Sequence, residues 1–284
     1  MAVQFAVLAS GSRGNSTLIR MGAVGHLIDL GLGPRALTLR LQSVGADWGQ
    51  IASAMLTHTH GDHVNNFTLL NLAKHRIPFY CHEGHRGDLV KHVGFQRLEA
   101  AGLVRNYDDR PFLGPTGLRV EPIELRHDGA TFGFRIEVKP EKGRGTASFG
   151  YMADTGCWTA DMAENMAEVD LLAVEFNHDV DLQRSSGRHP ALVARNLGDR
   201  GHLSNGQAAD FVTAVLARSA KGALKHLVLL HLSEQCNRPD LAIRTARAAI
   251  RGTGRRVEIQ AARQESAHPI VWITPARRRR VGLS

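Results

Sequence analysis

The feature that most constrains this chain is a run of metal-binding side chains at positions 58–63. The run reads His58-Thr59-His60-Gly61-Asp62-His63 and directly follows the apolar segment 51–57, which predicts a buried strand. Because alternate residues of an extended segment point the same way, His58 and His60 can share one metal ion. Asp62 and His63 are predicted at the start of a helix over residues 64–75, from which they would reach a second ion.

The donor types in this run narrow the choice of metal. Imidazole nitrogen and carboxylate oxygen suit zinc, manganese or iron, and the run contains no thiolate. A single histidine is more often a surface or core residue than a ligand. Three histidines and an aspartate within six residues, directly after a predicted buried strand, favour a metal site instead.

An open site for two ions needs further protein ligands, which we expect at the ends of other strands. Three candidates follow predicted apolar strands, namely His127, Asp154 and His231. Each of them alone could be a structural polar residue at a strand end. Together they complete the ligand set, and a carboxylate at Asp154 could bridge both ions.

Alternating strands and helices predict an α/β fold in which helices cover packed sheets. Strands are predicted at residues 3–9, 17–21, 25–30, 51–57, 77–81, 118–125, 132–138, 147–153, 170–175, 226–231, 257–260 and 270–274. Helices are predicted from Pro34, at residues 64–75, at residues 206–218 and at residues 239–251. No linker or repeat divides the chain, so one domain over residues 1–284 is expected, with a basic, flexible tail from about residue 275 that contains Arg277-Arg278-Arg279-Arg280.

The cellular location is predicted from the N-terminus and the cysteines. The first residues resemble an opening strand, and no apolar stretch reaches the roughly 18 residues that a bilayer crossing needs. The three cysteines are widely spaced and odd in number, which argues against a disulfide framework. A cytoplasmic protein with no membrane contact is therefore expected, and the sequence gives no indication of an obligate protein partner.

The ligand pattern resembles the metallo-β-lactamase superfamily. The resemblance rests on the H-x-H-x-D-H run and on a histidine, an aspartate and a histidine at later strand ends. It implies a four-layer αββα sandwich with a dinuclear metal site at the sheet edge. It also implies that His58, His60 and His127 bind one divalent ion, that Asp62, His63 and His231 bind the other, and that Asp154 bridges them.

Further segments narrow the resemblance to the YycJ/WalJ-like branch, a bacterial group described as exonucleases. They are Ser10-Gly11-Ser12-Arg13-Gly14-Asn15-Ser16, Ala153-Asp154-Thr155-Gly156, Glu175-Phe176-Asn177-His178-Asp179, Gly201-His202-Leu203-Ser204-Asn205 and His231-Leu232-Ser233. The glycine-rich segment lacks the Lys-Ser/Thr ending of a nucleotide-binding loop and is followed by a strand. We therefore expect a tight turn beneath the site, with Ser10 and Asn15 bonded to nearby backbone, rather than a phosphate cradle.

Two metal ions would lower the pKa of a bridging water and hold the oxygens of a scissile phosphodiester. Asp62 is predicted to orient the nucleophilic hydroxide. His202 is predicted to contact the substrate phosphate or leaving group, the alternative being a loop histidine bonded to backbone. His178 follows the strand over residues 170–175 and is a second catalytic candidate, the alternative being a partner that orients a ligand histidine.

The net charge of +8 agrees with a polyanionic partner, although a solvated basic surface has the same composition. The first functional hypothesis is a phosphodiesterase or exonuclease acting on DNA or RNA, held through Arg184, Arg188 and the arginine-rich C-terminal region. The second is a small-molecule hydrolase, either a cyclic phosphodiesterase or a thioesterase. A non-enzymatic binding protein would require damaged ligands, and all seven expected positions carry ligand side chains.

Overall fold

Two seven-stranded sheets pack face to face in the computed structural model, which describes residues 2–139 and 145–276. The first sheet contains β1 (Val3–Ala9), β2 (Ser16–Met21), β3 (Val24–Ile28), β4 (Ile51–Met55), β5 (Phe79–His82), β6 (Val104–Tyr107) and β14 (Ile270–Ile273), in the order β14-β1-β2-β3-β4-β5-β6. The second contains β7 (Phe112–Leu113), β8 (Leu118–Glu124), β9 (Phe132–Val138), β10 (Ala147–Met152), β11 (Leu171–Glu175), β12 (His226–Leu230) and β13 (Glu258–Ala261), in the order β13-β12-β11-β10-β9-β8-β7.

Helices cover the outer face of each sheet. On the first sheet lie α1 (Pro34–Ser43), α2 (Asn66–His75), α3 (Arg86–Leu89) and α4 (Val93–Ala100). The helices of the second half are α5 (Ala160–Asn165), α6 (Val180–Arg184), α7 (Pro190–Leu197), α8 (Asn205–Arg218) and α9 (Pro239–Gly252). Of these, α5, α8 and α9 pack their apolar residues onto the outer face of the second sheet.

The alternation of side chains along β1 shows how the layers form. Phe5 enters the core between the sheets, whereas Ala6 and Leu8 enter the core beneath the helices of the first sheet. Across the central core the ring of Phe5 stacks on that of Phe149 in β10, with centroids 5.8 Å apart. The expected four-layer αββα sandwich is therefore confirmed.

Most predicted elements are present, with ends that differ by one or two residues. The helix predicted from residue 64 begins later, because the side chain of Asn65 accepts hydrogen bonds from the amides of Phe67 and Thr68 and so caps α2. Asp62 and His63 therefore lie in the turn before the helix, which corrects the prediction that they start it. The prediction also missed α3–α7, β6 and β7.

Strand direction places the candidate site at one edge of the sandwich. In the second sheet β10, β11 and β12 are parallel, and β8 runs the same way because it and β10 are both antiparallel to β9. In the first sheet β3 and β4 are parallel. The residues that follow β8, β10, β11 and β12 therefore emerge together, facing those that follow β3 and β4.

Two further sequence predictions concern membrane contact and the C-terminal tail. None of the helices in the described ranges combines the length and the apolar character that a bilayer crossing requires. In the predicted tail, Ala276 still forms a β-bridge with Thr146, while residues 277–284, including Arg277–Arg280, lie outside the described residues.

Candidate metal centre

The structure gathers the seven predicted ligands into two groups that share one carboxylate. The first group is His58, His60, His127 and Asp154, and the second is Asp62, His63, Asp154 and His231. Within each group, one ligand atom per residue lies within 4.8 Å of the others. Asp154 Oδ2 lies 3.3 Å from His58 Nε2 and 3.2 Å from His63 Nε2, so this carboxylate stands between the groups.

Buried nitrogen atoms without hydrogen bonds show that these groups fit metal ions. Within the described chain, His58 Nε2, His127 Nε2 and both ring nitrogens of His231 form no aligned hydrogen bond, although Asp154 oxygens lie 3.3 Å from His58 Nε2 and 2.5 Å from His231 Nδ1. Buried polar atoms without a hydrogen bond are rare in proteins, so such atoms seldom converge without a ligand. Nitrogen donors that face a shared carboxylate are the donor set that a zinc-like divalent ion prefers.

The neighbouring hydrogen bonds select which nitrogen of each ring faces the centre. His63 Nδ1 lies 2.8 Å from Oδ2 of the fully buried Asp29, and His127 Nδ1 lies 2.8 Å from the carbonyl oxygen of Gly201. A ring that donates from Nδ1 presents the Nε2 lone pair to a metal. Sequence analysis did not single out Asp29, which also accepts hydrogen bonds from Thr57.

Burial and neighbouring charges shift the pKa values of the side chains in the centre. Burial lowers the pKa of His58 to about 4. Burial also opposes the charge on His63, but the carboxylates of Asp29 and Asp154 outweigh it and raise its pKa to about 10. The pKa of Asp62 is lowered to about 2 because His231 and His63 outweigh its burial. The centre thus holds ionised carboxylates whose positive partners are protonated imidazoles, a charge pattern into which a cation fits by displacing protons.

The glycine-rich segment at residues 10–16 lies beside the centre and forms hydrogen bonds with its backbone, as the sequence predicted. Asn15 donates its amide N–H to the carbonyl of Asp62 (2.7 Å), and its side-chain nitrogen lies 3.0 Å from His63 Nε2. The hydroxyl of Ser10 accepts the amide N–H of His231 at 2.8 Å. This segment therefore positions ligands of the second group.

A third group of side chains adjoins the other two. It comprises Asp154, Glu175, His202 and His231, again with one ligand atom each within 4.8 Å. Glu175 ends β11, and its Oε2 lies 3.1 Å from His202 Nδ1, while its Oε1 accepts the amides of Thr155 and Leu203. Glu175 was not among the predicted site residues, although it is a carboxylate at the end of an apolar strand, as Asp154 is.

His202 lies close to one histidine of each of the two predicted ligand groups. Its ring centroid is 5.0 Å from that of His127 and 5.2 Å from that of His231, and 14% of its side chain is exposed. Its ring is bonded to a carboxylate, whereas the alternative expectation was a bond to backbone. Ser204, two residues on, caps α8 by accepting the amide of Gln207, so the capping role belongs to Ser204.

His178 is placed differently from His202. It is fully buried, burial lowers its pKa to about 4, and neither ring nitrogen has a hydrogen-bond partner in the described chain. It belongs to none of the three groups, and no hydrogen bond joins its ring to a ligand histidine. Its backbone carbonyl accepts the amide of Asn205, which ties the end of β11 to the start of α8.

Three site residues have left-handed backbone conformations. Asp29, Asp154 and His231 have φ of 62°, 56° and 51°. Such conformations are uncommon for residues other than glycine and cluster at functional sites, where the surrounding structure holds them. Each of the three lies just after a strand, and its side chain contacts a histidine or aspartate of the centre.

The fold and this ligand arrangement define a class of protein. The chain matches the family described as beta-lactamase superfamily domain over residues 26–232, which is more than half of its length. The chain belongs to this superfamily.

Its relatives include named nucleases. It is 27% identical over 246 residues to exodeoxyribonuclease WalJ of Streptococcus pneumoniae, covering 84% of this chain and 85% of the relative. It is also 27% identical over 248 residues to exodeoxyribonuclease YycJ of Bacillus anthracis, covering 85% and 87%. The branch expected from the sequence motifs is confirmed by these relatives.

Solved structures agree with the fold at low sequence identity. The metallo-beta-lactamase fold protein YhfI from Bacillus subtilis is similar with a TM-score of 0.68 and 15% identity, covering 95% of this chain and 99% of that one. The short form of human tRNase Z has a TM-score of 0.59 and 18% identity, covering 95% and 99%.

Proposed function

We propose that the protein is a metal-dependent phosphodiesterase that removes nucleotides from the end of DNA. The observation that carries this proposal is the pair of ligand groups joined at Asp154, with the Glu175–His202 pair beside them. Relatives named exodeoxyribonucleases support DNA as the substrate. We further propose two divalent ions, zinc or manganese with iron as a third option, and a cytoplasmic location.

The residues of the centre would have different roles in hydrolysis. His58, His60 and His127 would hold one ion, and Asp62, His63 and His231 the other, with Asp154 between. Two ions held in this way lower the pKa of bound water and bind phosphate oxygens. Asp62 is the least buried carboxylate of the centre, with 20% of its side chain exposed, so it is placed to hold the attacking water.

His202 would protonate the leaving oxygen. Glu175 is fully buried, and His202 and His231 outweigh that burial and lower its pKa to about 2. An ionised Glu175 accepts the Nδ1–H of His202, so the doubly protonated ring would carry a second proton on Nε2 and give that proton to the leaving oxygen. His178 stays a predicted catalytic residue, although it is fully buried and belongs to none of the three groups.

The proposal is tested with the purified, metal-loaded protein. End-labelled DNA and a chromogenic phosphodiester are incubated with it in manganese or zinc, after elemental analysis of the bound metal. We expect stepwise shortening of the labelled DNA and loss of this activity on chelation. Turnover of the small diester without shortening of DNA would favour a small-molecule hydrolase, and no turnover of either substrate would refute the proposal.

Replacing His202 with alanine tests the leaving-group role. A positioned general acid contributes roughly 100- to 10,000-fold, so we expect turnover of DNA to fall by at least about 100-fold. The metal content should stay at the wild-type level, since the seven proposed ligands are intact. Unchanged turnover would exclude this role. A lowered metal content would instead assign His202 to metal binding.

A further inference from the structure

Helix α9 and the turn after it carry a group of arginines that the proposed chemistry does not use. We call these residues the arginine stripe, which comprises Arg244, Arg247, Arg251, Arg255 and Arg256. At 3.6 residues per turn, the three arginines of α9 lie within about 60° of one another around the helix axis. The opposite face of α9 buries Ala242, Ala246 and Ile250 in the core. The stripe is therefore the solvent face of this helix.

The C-terminal half of the stripe surrounds a cavity of about 590 Å³. Four arginines line this cavity, namely Arg247, Arg251, Arg255 and Arg256. The single acidic residue in its wall is Glu258, whose Oε2 lies 3.1 Å from His226 Nδ1 and whose Oε1 accepts a hydrogen bond from Gln260. The wall thus concentrates positive charge, and its one carboxylate is already engaged.

Most of these guanidinium groups have no carboxylate partner among the described residues. Arg244 pairs with Asp240 at 3.2 Å, and Arg255 donates to the carbonyl of Ala220 at 2.9 Å. For Arg247, Arg251 and Arg256, the described chain places no carboxylate within 4.0 Å of the guanidinium. Favourable interaction with the helix dipole is limited to the last turn. It accounts for Arg251 and not for the other two.

Helix α9, which carries the stripe, starts at the edge of the candidate metal centre. The loop from His231 to α9 is fixed there, because Asn237 donates to the carbonyl of Phe176 and Asp179 donates to the carbonyl of Cys236. The far end lies at the opposite edge of the sheet, where Glu258 pairs in register with His226 at the start of β12. At 1.5 Å per residue, α9 separates the two ends by about 21 Å.

We propose that the arginine stripe is a track for the phosphates of a DNA strand whose end lies in the metal centre. This proposal rests on the proposed function. Along the axis of a duplex the phosphates of one strand advance by about 3.4 Å per base pair, so α9 is as long as about six base pairs. The planar guanidinium group binds phosphate oxygens in pairs, which suits arginine to this role. The track would hold a long substrate by charge alone, without reading its sequence.

The test replaces three arginines of the stripe that have no carboxylate partner in the described chain. A control variant loses the same number of positive charges from the helical layer that covers the first sheet. The stripe variant is Arg247→Gln/Arg251→Gln/Arg256→Gln, and the control is Lys74→Gln/Arg76→Gln/Arg97→Gln. Affinity of the metal-loaded protein for a phosphorothioate DNA strand of about 20 nucleotides is measured between about 50 and about 200 mM salt. Hydrolysis of a small chromogenic phosphodiester is followed in parallel, because that substrate reports the metal centre and is too short to reach the stripe.

For the stripe variant we expect weaker DNA binding and a salt dependence, as the slope of log affinity against log salt, that is shallower by about 2. The control should keep the wild-type slope. Equal slopes in the stripe variant and the wild type, or equal losses in both variants, would overturn the track. Absence of diester and DNA hydrolysis in the wild type would refute the proposed function separately, while a slope change confined to the stripe variant would still support the track.

Discussion

Replacing Asp154 with asparagine is expected to remove most of the bound metal and to lower turnover by more than about 100-fold. Loss of a residue that merely orients a ligand costs roughly 10- to 100-fold in metal affinity, and Asp154 belongs to all three ligand groups. Its Oδ1 also lies 2.5 Å from His231 Nδ1. The amide keeps the shape of the side chain but loses its charge, and it turns an N–H group toward the histidines.

Metal content per chain and turnover of the chromogenic diester measure this effect. The matched control is Asp170→Asn, since Asp170 is also fully buried but precedes β11, at the opposite edge of the sheet, where it bonds Ser148 and Lys225. We expect this control to lose stability and to keep its metal. If the Asp154 variant retained the full metal content and turnover, Asp154 could not be the shared ligand.

The ligand positions were predictable because the strand pattern is strong. A polar side chain directly or shortly after a predicted strand marks a strand end, and parallel strand ends meet at one edge. His127, Asp154 and His231 all follow this pattern, and the structure brings them to the run at positions 58–63. The prediction required strand direction alone and no knowledge of the packing between the sheets.

Asp29 and Glu175 show what the pattern could not reveal. Both are buried carboxylates at strand ends, as Asp154 is, yet Asp29 binds the far nitrogen of His63 and Glu175 binds His202. Whether a carboxylate faces the centre or supports a ligand depends on how the two sheets register against each other. That register arises from core contacts such as Phe5 on Phe149, which are far apart in sequence.

The arginines of α9 show a similar limit of sequence-based prediction for residues on the surface. Helical spacing places Arg244, Arg247 and Arg251 on one face, so their alignment can be read from the sequence. Their relation to the centre cannot, because it depends on α9 starting beside the end of β11 and finishing at the opposite edge. The structure shows where this part of the positive charge lies, and the proposed track depends on that placement.

Replacing Gly31 with alanine is expected to disrupt the centre without touching a ligand. A Cβ at this position would lie 1.8 Å from the carbonyl oxygen of Asp62 and 2.7 Å from the amide nitrogen of Asn15. Both atoms belong to backbone that holds the metal loop, because the Asn15 amide donates to that same Asp62 carbonyl and the Leu30 amide donates to the His63 carbonyl. The loop can make room only by breaking these hydrogen bonds and displacing Asp62 and His63.

We expect the Gly31→Ala variant to lose about 3 kcal/mol of unfolding free energy, the upper part of the range for overpacking, together with most of its metal. Gly61→Ala is the control, since a Cβ there meets no atom within 4 Å although Gly61 lies inside the metal loop. Its unfolding free energy should stay within about 0.5 kcal/mol of the wild type. Denaturant unfolding and metal analysis of both variants decide the point. If the Gly31 variant kept the wild-type metal content, metal binding alone would be enough to hold the loop in place. If the variant lost its metal, the close backbone approach at Gly31 would be required to position Asp62 and His63.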